Sequence, residues 1–130
     1  MRHAAWIVAT ALFSLAACNV ATSPNGNGAS GGGSVGQVTV GNTFFRSAHN
    51  GSQNPAVDTI TAGGSVTWSW NVAGSHSIQS TGTSPEIFRN SFVLAGPGYT
   101  YSVTLNTPGT YSYQCGVDGS AMTGRIVFLP

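Results

Sequence analysis

Cys115, Asp118 and Met122 fall in one short stretch of the sequence, Tyr111-Ser-Tyr-Gln-Cys-Gly-Val-Asp-Gly-Ser-Ala-Met-Thr-Gly-Arg-Ile-Val-Phe-Leu-Pro130. A thiol, a carboxylate and a thioether so close together are three potential metal ligands, and the two soft sulfurs suit copper best. The competing reading needs no metal: a lone cysteine is commonly a small buried hydrophobe, and methionine commonly fills gaps in a core. His76 is the next candidate, in Asn71-Val-Ala-Gly-Ser-His76-Ser-Ile-Gln79, directly after a strand-like run that ends at Trp70. By itself such a histidine is a surface or hydrogen-bonded residue. Beside Cys115, Asp118 and Met122 it would add an imidazole. His49 is a weaker candidate, in the polar loop Ser47 to Pro55, and nothing in the sequence places that loop near Cys115.

The elements that must position these residues read as β-strands throughout. Tyr111 to Gln114 and Arg125 to Leu129 alternate apolar and polar, with Gly116, Gly119 and Gly124 marking a loop between them that would carry Cys115, Asp118 and Met122. Val66, Trp68 and Trp70 share one face of another alternating run, with Thr67 and Ser69 on the other. Two Trp side chains at that spacing predict core, since each buries a large area. Val38 and Val40 alternate before Gly41-Asn42, Val57, Thr59 and Thr61 alternate with Ile60, and Tyr99, Tyr101, Val103 and Leu105 form a further strand. Ser80 to Asn90 fits no regular element. Short strands, frequent Gly and Pro turns and no helical period predict an all-β fold, an antiparallel sandwich over residues 37–130.

Composition narrows the function classes. Charged residues make up 5% of the chain, and there is no lysine. Beyond Arg2, the cations Arg46, Arg89 and Arg125 balance Asp58, Glu86 and Asp118. A surface this neutral cannot supply the phosphate neutralisation that nucleic-acid binding needs, so nucleic acid is excluded as a partner. Hydrolysis is disfavoured as well. The three acids lie far apart in sequence, and no Ser-His-acid arrangement can be assembled.

The N-terminus reads as a processing segment. Arg2 provides a positive start, and Ala4 to Ala17 is an apolar run too short for a stable membrane span, so residues 1–17 form a signal peptide. It ends in Leu15-Ala-Ala-Cys18, which resembles the lipobox of bacterial lipoprotein signal peptides and implies lipid on Cys18 after cleavage. The alternative is an ordinary secretory peptide. Asn19 is not the aspartate often linked with inner-membrane retention, which directs the lipoprotein to the periplasmic face of an outer membrane or to the cell surface. Residues 18–36, rich in Ser, Asn, Gly and Ala, cannot bury enough apolar surface to offset chain entropy and read as a flexible tether. With Cys18 lipidated, Cys115 is the one remaining thiol of an exported domain and has no disulfide partner within it. Metal ligation explains it, and so does deep burial.

Taken in order, Val38-Thr-Val40, Phe44-Phe45, Gly63-Gly-Ser-Val-Thr-Trp-Ser-Trp70, His76-Ser-Ile78, Pro97-Gly98-Tyr99, Pro108-Gly-Thr-Tyr-Ser-Tyr-Gln-Cys115 and Met122-Thr-Gly-Arg-Ile-Val127 resemble the plastocyanin-like cupredoxins. The resemblance spans essentially all of residues 35–130 and implies a Greek-key β-sandwich holding one copper ion. It matches His76 to the family's first histidine ligand, Cys115 to the thiolate and Met122 to the weak axial ligand. Asp118 stands where the family has its second histidine, so blue colour and a high potential do not follow. The function this implies is single-electron transfer between exported partners, without a small-molecule substrate and without enzymatic turnover. The alternatives are a cupredoxin-like interaction module that has lost its metal, and a copper or zinc buffer of the cell envelope.

Overall fold

The structure, a computed structural model, describes residues 35–130. The expected signal peptide over 1–17, lipidation of Cys18 and all but the last two residues of the tether lie outside the described residues. Ten strands run in chain order: β1 (Val35–Val40), β2 (Phe45–Ser47), β3 (Ala56–Thr61), β4 (Ser65–Trp70), β5 (Ser75–His76), β6 (Ile78–Thr81), β7 (Leu94–Ala95), β8 (Thr100–Thr104), β9 (Gly109–Cys115) and β10 (Gly119–Leu129). No helix occurs among the described residues. The first strand begins at Val35, two residues inside the segment read as tether, because Val35 and Gly36 already pair with Ser65 and Val66 of β4.

One sheet has the order β2-β1-β4-β8 and the other β3-β10-β9-β6, with β5 and β7 forming a two-stranded ribbon. The expectation of a purely antiparallel sandwich is corrected here: β1 pairs with β4 in parallel, and β3 pairs with β10 in parallel. Parallel neighbours need a crossover rather than a hairpin. The chain supplies one by sending β3 to the opposite sheet before β4 returns beside β1.

Alternation decides which side chains meet between the sheets. Val66, Trp68 and Trp70 of β4 are buried while Ser69 is exposed, and Tyr111, Tyr113 and Cys115 of β9 are buried while Thr110 and Ser112 are exposed. Tyr113 lies at the centre of an aromatic cluster, edge-on to Trp68 at 5.1 Å and to Phe45 at 5.0 Å between ring centroids. Edge-to-face pairs of this kind add about 0.5–1.5 kcal/mol each beyond the area they bury. The expectation that Ser80 to Asn90 forms no regular element holds from Gly82 on, since Ser80 and Thr81 belong to β6, and this segment packs Phe88 against Trp68 at 5.8 Å.

On β3 the buried face is Ala56, Asp58 and Ile60. A buried carboxylate is costly unless hydrogen-bonded, and Asp58 accepts from the Gln37 N–H at 2.8 Å, the Thr59 N–H at 3.1 Å and His49 Nδ1 at 3.0 Å. Asp58 therefore ties β1 in one sheet to β3 in the other, and His49 caps it from a half-exposed position. Both residues serve the fold.

Candidate metal centre

Cys115 reaches the site because alternation along β9 carries the thiol inward at the last residue of the strand. The turn Gly116–Asp118 then reverses the chain into β10, which pairs Gly119 with Cys115. The next pairing in register is Thr123 with Gln114, so Ser120, Ala121 and Met122 bulge out of the ladder. The sequence places Cys115, Asp118 and Met122 on one loop; in the structure only Asp118 lies in the turn. Cys115 ends one strand and Met122 lies within the next, because the bulge lets β10 start at Gly119. Met122 is fully buried in the same core as Cys115. His76 comes from the far side of the site. It is the second residue of the ribbon strand β5, paired with Leu94 of β7, and is 3% exposed.

These elements bring one nitrogen, one sulfur and one carboxylate oxygen of His76, Cys115 and Asp118 to within 4.8 Å of one another. His76 Nδ1 lies 2.9 Å from Asp118 Oδ2 and 3.7 Å from Cys115 Sγ. The side chain of Asp118 is 30% exposed, so the trio opens to solvent on that side alone, Cys115 and His76 being buried. His49 takes no part: its ring is held by Asp58.

The electrostatics follow from this packing. Burial pushes the Cys115 thiol above its ordinary range, and the Asp118 carboxylate, which accepts its proton, raises it further. The Ser77 N–H, chiefly, with those of Asp118 and Val117, points at the sulfur and opposes that rise. The last of these is 3.4 Å away. Asp118 moves in the other direction. The hydrogen bond from Cys115 lowers its pKa most, and His76 adds a hydrogen bond and a charge that lower it further, against a smaller penalty from partial burial.

Sequence reasoning missed Ser77. Its Oγ accepts the Gly116 N–H at 3.1 Å, joining the histidine strand to the turn that follows Cys115. The approach is close enough that a Cβ on residue 116 would lie 2.5 Å from that oxygen, so Gly116 is required here. The one signal for Ser77 is its place next to His76.

The donor set can be tested against copper on its chemistry. Thiolate sulfur and imidazole nitrogen are borderline-to-soft donors, carboxylate oxygen accepts Cu(II) well, and the three are preassembled on rigid strands and a clamped turn. His76 Nε2 is buried and makes no hydrogen bond, which leaves Nδ1 as the ring nitrogen aimed at Cys115 and Asp118. The residues fit a copper ion held by His76 Nδ1, Cys115 Sγ and Asp118.

The sequence model of a family described as copper binding proteins, plastocyanin/azurin family, matches residues 52–128. Plastocyanin of Prochlorothrix hollandica is 38% identical over 77 residues, covering 55% of this chain and 59% of that protein. The chain thus spans less than two thirds of that relative's length. Plastocyanin of Scenedesmus fuscus is 35% identical over 79 residues, covering 55% of this chain and 81% of its own. Among solved structures, a purple cupredoxin from Nitrosopumilus maritimus superposes with a TM-score of 0.54 at 23% identity, covering 73% of this chain and 98% of its own. A reduced Cu(I) form of an amicyanin variant gives a TM-score of 0.55 at 22% identity, covering 71% and 79%. At these identities the two structures establish the shared fold.

Proposed function

Because the chain belongs to the plastocyanin/azurin family of copper-binding proteins, we propose that it holds one copper ion in an altered site and passes single electrons between exported partners. The observation that carries this reading is the convergence of His76 Nδ1, Cys115 Sγ and the Asp118 carboxylate within 4.8 Å. Bound copper would supply the one-electron couple. The protein supplies the rest. Cys115 is the thiolate ligand, and its sulfur, set at the end of β9, gives the shortest covalent path into the sheet. His76 would supply the imidazole, and Met122, buried in the same core, a weak thioether donor. Asp118 takes the place of the second histidine and adds a negative charge.

The centre is adapted to electron transfer rather than turnover. A strand end and a clamped turn resist rearrangement between oxidation states. The partner we propose is another exported redox protein. Val117 beside the site, and Phe92 and Val93 next to the ribbon strand β7, are exposed apolar side chains that suit a largely uncharged contact. Lipid on Cys18 would hold the domain at a membrane, on the periplasmic face of an outer membrane or at the cell surface.

A second reading is favoured by one specific feature. Asp118 accepts hydrogen bonds from both His76 Nδ1 and Cys115, so the atoms that face the site are partnered without a metal. On that reading the domain is an interaction module or a metal buffer. Titration of the purified protein with Cu(II), following stoichiometry and the visible spectrum, separates them. One equivalent bound with a thiolate-to-copper band supports electron transfer, binding without redox cycling supports a buffer, and no uptake supports the interaction module.

A further inference from the structure

Metal ligation through Nδ1 leaves His76 with a ring N–H at Nε2, and a buried N–H needs an acceptor. In the structure His76 Nε2 is buried and makes no hydrogen bond. The group facing it is the side chain of Asn42. A Cβ on Gly74 would lie 2.8 Å from His76 Nε2 and 2.8 Å from Asn42 Oδ1, so both atoms border the open space over the bare Cα of Gly74.

Two further contacts hold Asn42 in place. It sits in the tight turn after β1 that the Gly41 N–H closes on the Phe44 carbonyl at 2.8 Å. The tip of the Phe44 ring lies against Gly41, where a Cβ would be 2.3 Å from Cζ. The loop that carries Gly74 is tied to the same end of β1 by the Asn71 N–H on the Val40 carbonyl at 3.3 Å. Turn and loop are thus anchored to one strand end, and only the exposed side chain of Asn42 must rotate to complete the bond, a motion of picoseconds to nanoseconds.

We propose that Asn42 is a positioning residue, the hydrogen-bond partner of His76 Nε2, and that Gly74 is there to let the two meet. The positioning role rests on the metal-binding reading above; the contact itself does not. An amide suits both states of the site, since it carries a donor and an acceptor. Without metal, His76 Nδ1–H donates to Asp118 and the Nε2 lone pair accepts from the Asn42 amide nitrogen. With Nδ1 ligated, Nε2–H donates to Asn42 Oδ1. The ring keeps one orientation throughout.

The test has two readouts on the full domain: the imidazole 15N resonances of His76 in metal-free protein, and the affinities for Zn(II) and Cu(II). Asn42→Ala is expected to move the Nε2 resonance and to weaken both ions ten- to hundred-fold, the usual loss for a partner of a metal-ligating histidine. Asn42→Asp retains an acceptor and is expected to recover most of the affinity. Gly74→Ala places a methyl between the partners and should reproduce the loss, with the Asn42→Ala/Gly74→Ala double variant no worse than the weaker single one. An unmoved Nε2 resonance in Asn42→Ala overturns the contact. A moved resonance with unchanged affinity overturns the positioning role. A wild-type protein that takes up neither ion ends the copper reading and that role together, and the resonance alone then decides whether the contact exists.

Discussion

His76 Nδ1 and Asp118 Oδ2 lie 2.9 Å apart although 42 positions separate them in the chain. The pair closes the site between the ribbon strand β5 and the turn after β9. It also sets the protonation pattern of the metal-free state, because an ionised carboxylate can only accept. His76 Nδ1 and the Cys115 thiol must therefore both present hydrogens to Asp118. A metal ion entering this site has to displace protons from the two atoms that would ligate it.

Proton displacement gives the first prediction. Burial and Asp118 raise the Cys115 pKa, so near neutrality the thiol holds its proton. Copper affinity should then rise about tenfold per pH unit for each proton released, until the thiol ionises unaided. Cys115→Ser should abolish tight Cu(II) binding and any thiolate-to-copper absorption. It should leave the sandwich folded at a cost of about 1–3 kcal/mol for burying a hydroxyl in place of a thiol. Equal copper affinity in wild type and variant, measured by competition with a chelator, would remove Cys115 from the site.

A second prediction concerns alkaline stability of the metal-free protein. Burial raises the pKa of Tyr101, Tyr111 and Tyr113 above their ordinary value of 10.0, and that of Cys115 above 9.0. Each group thus holds its proton more tightly folded than unfolded, and its stabilising contribution is complete below the unfolded value. As pH climbs past about 9 the unfolded chain ionises first and binds fewer protons, so stability falls. Asp118 acts at the other end. Its lowered folded value stabilises the protein above the ordinary 3.8 and is lost as the solution is acidified below that. Urea midpoints at pH 7, 9 and 10.5 should decrease in that order, and a flat series would refute the assignment.

The strands were legible in the sequence wherever burial follows strict alternation, as in Val66-Thr-Trp-Ser-Trp70 and Tyr111-Ser-Tyr-Gln-Cys115. Cys115 and Asp118 were found through residue type and spacing and His76 was joined to them through the family resemblance, and the structure brings the three together. Three features were hidden for physical reasons. The parallel pairing of β1 with β4 depends on where β3 goes, which no local pattern encodes. The bulge at Ser120 to Met122 turns an apparent loop into strand, and the glycines on either side of it, Gly119 and Gly124, read as turn signals. Buried Asp58 was counted as surface charge, since two of its three hydrogen-bond donors, the Gln37 N–H and the His49 ring, come from other parts of the chain.

Ser77 supplies a third prediction. Its hydroxyl accepts the Gly116 N–H, and its own N–H points at the Cys115 sulfur. Ser77→Ala keeps the backbone donor but removes the acceptor of the Gly116 N–H, a loss of about 0.5–1.5 kcal/mol because Gly116 is exposed and water can replace the partner. The turn carrying Asp118 should loosen, with faster amide exchange at Gly116 and Val117. Unchanged exchange at both positions would show that the clamp does not hold the turn.

Targeting gives a fourth. Leu15-Ala-Ala-Cys18 and the Gly/Ser/Asn-rich stretch after it suit a lipid anchor on a tether. In the producing cell, wild type should partition with membranes, and Cys18→Ser should shift the domain into the soluble fraction. A wild-type protein already fully soluble after export would end the lipoprotein reading.

The last prediction turns on the charge of Asp118. With Cys115 thiolate and Asp118 carboxylate both bound, a Cu(II) site is neutral and a Cu(I) site carries a net negative charge in a largely buried environment. Uncompensated charge is costly there, so the oxidised form is favoured and the reduction potential falls relative to a site with two imidazoles. A hard oxygen donor also draws Cu(II) towards tetragonal coordination, weakening the intense thiolate band of a trigonal two-His, one-Cys site. Asp118→His removes the anion while His76, Cys115, Met122 and the Ser77 clamp stay in place. The variant should show a stronger band towards the red end of the visible range and a higher potential. A hundredfold shift in the relative affinity for the two oxidation states corresponds to roughly 120 mV, which sets the scale expected on cyclic voltammetry. The variant also loses the acceptor that joins His76 to Cys115 without metal, so its metal-free form should be less stable than wild type while its copper form is not. Identical spectra and potentials in the two proteins would exclude residue 118 from the coordination sphere.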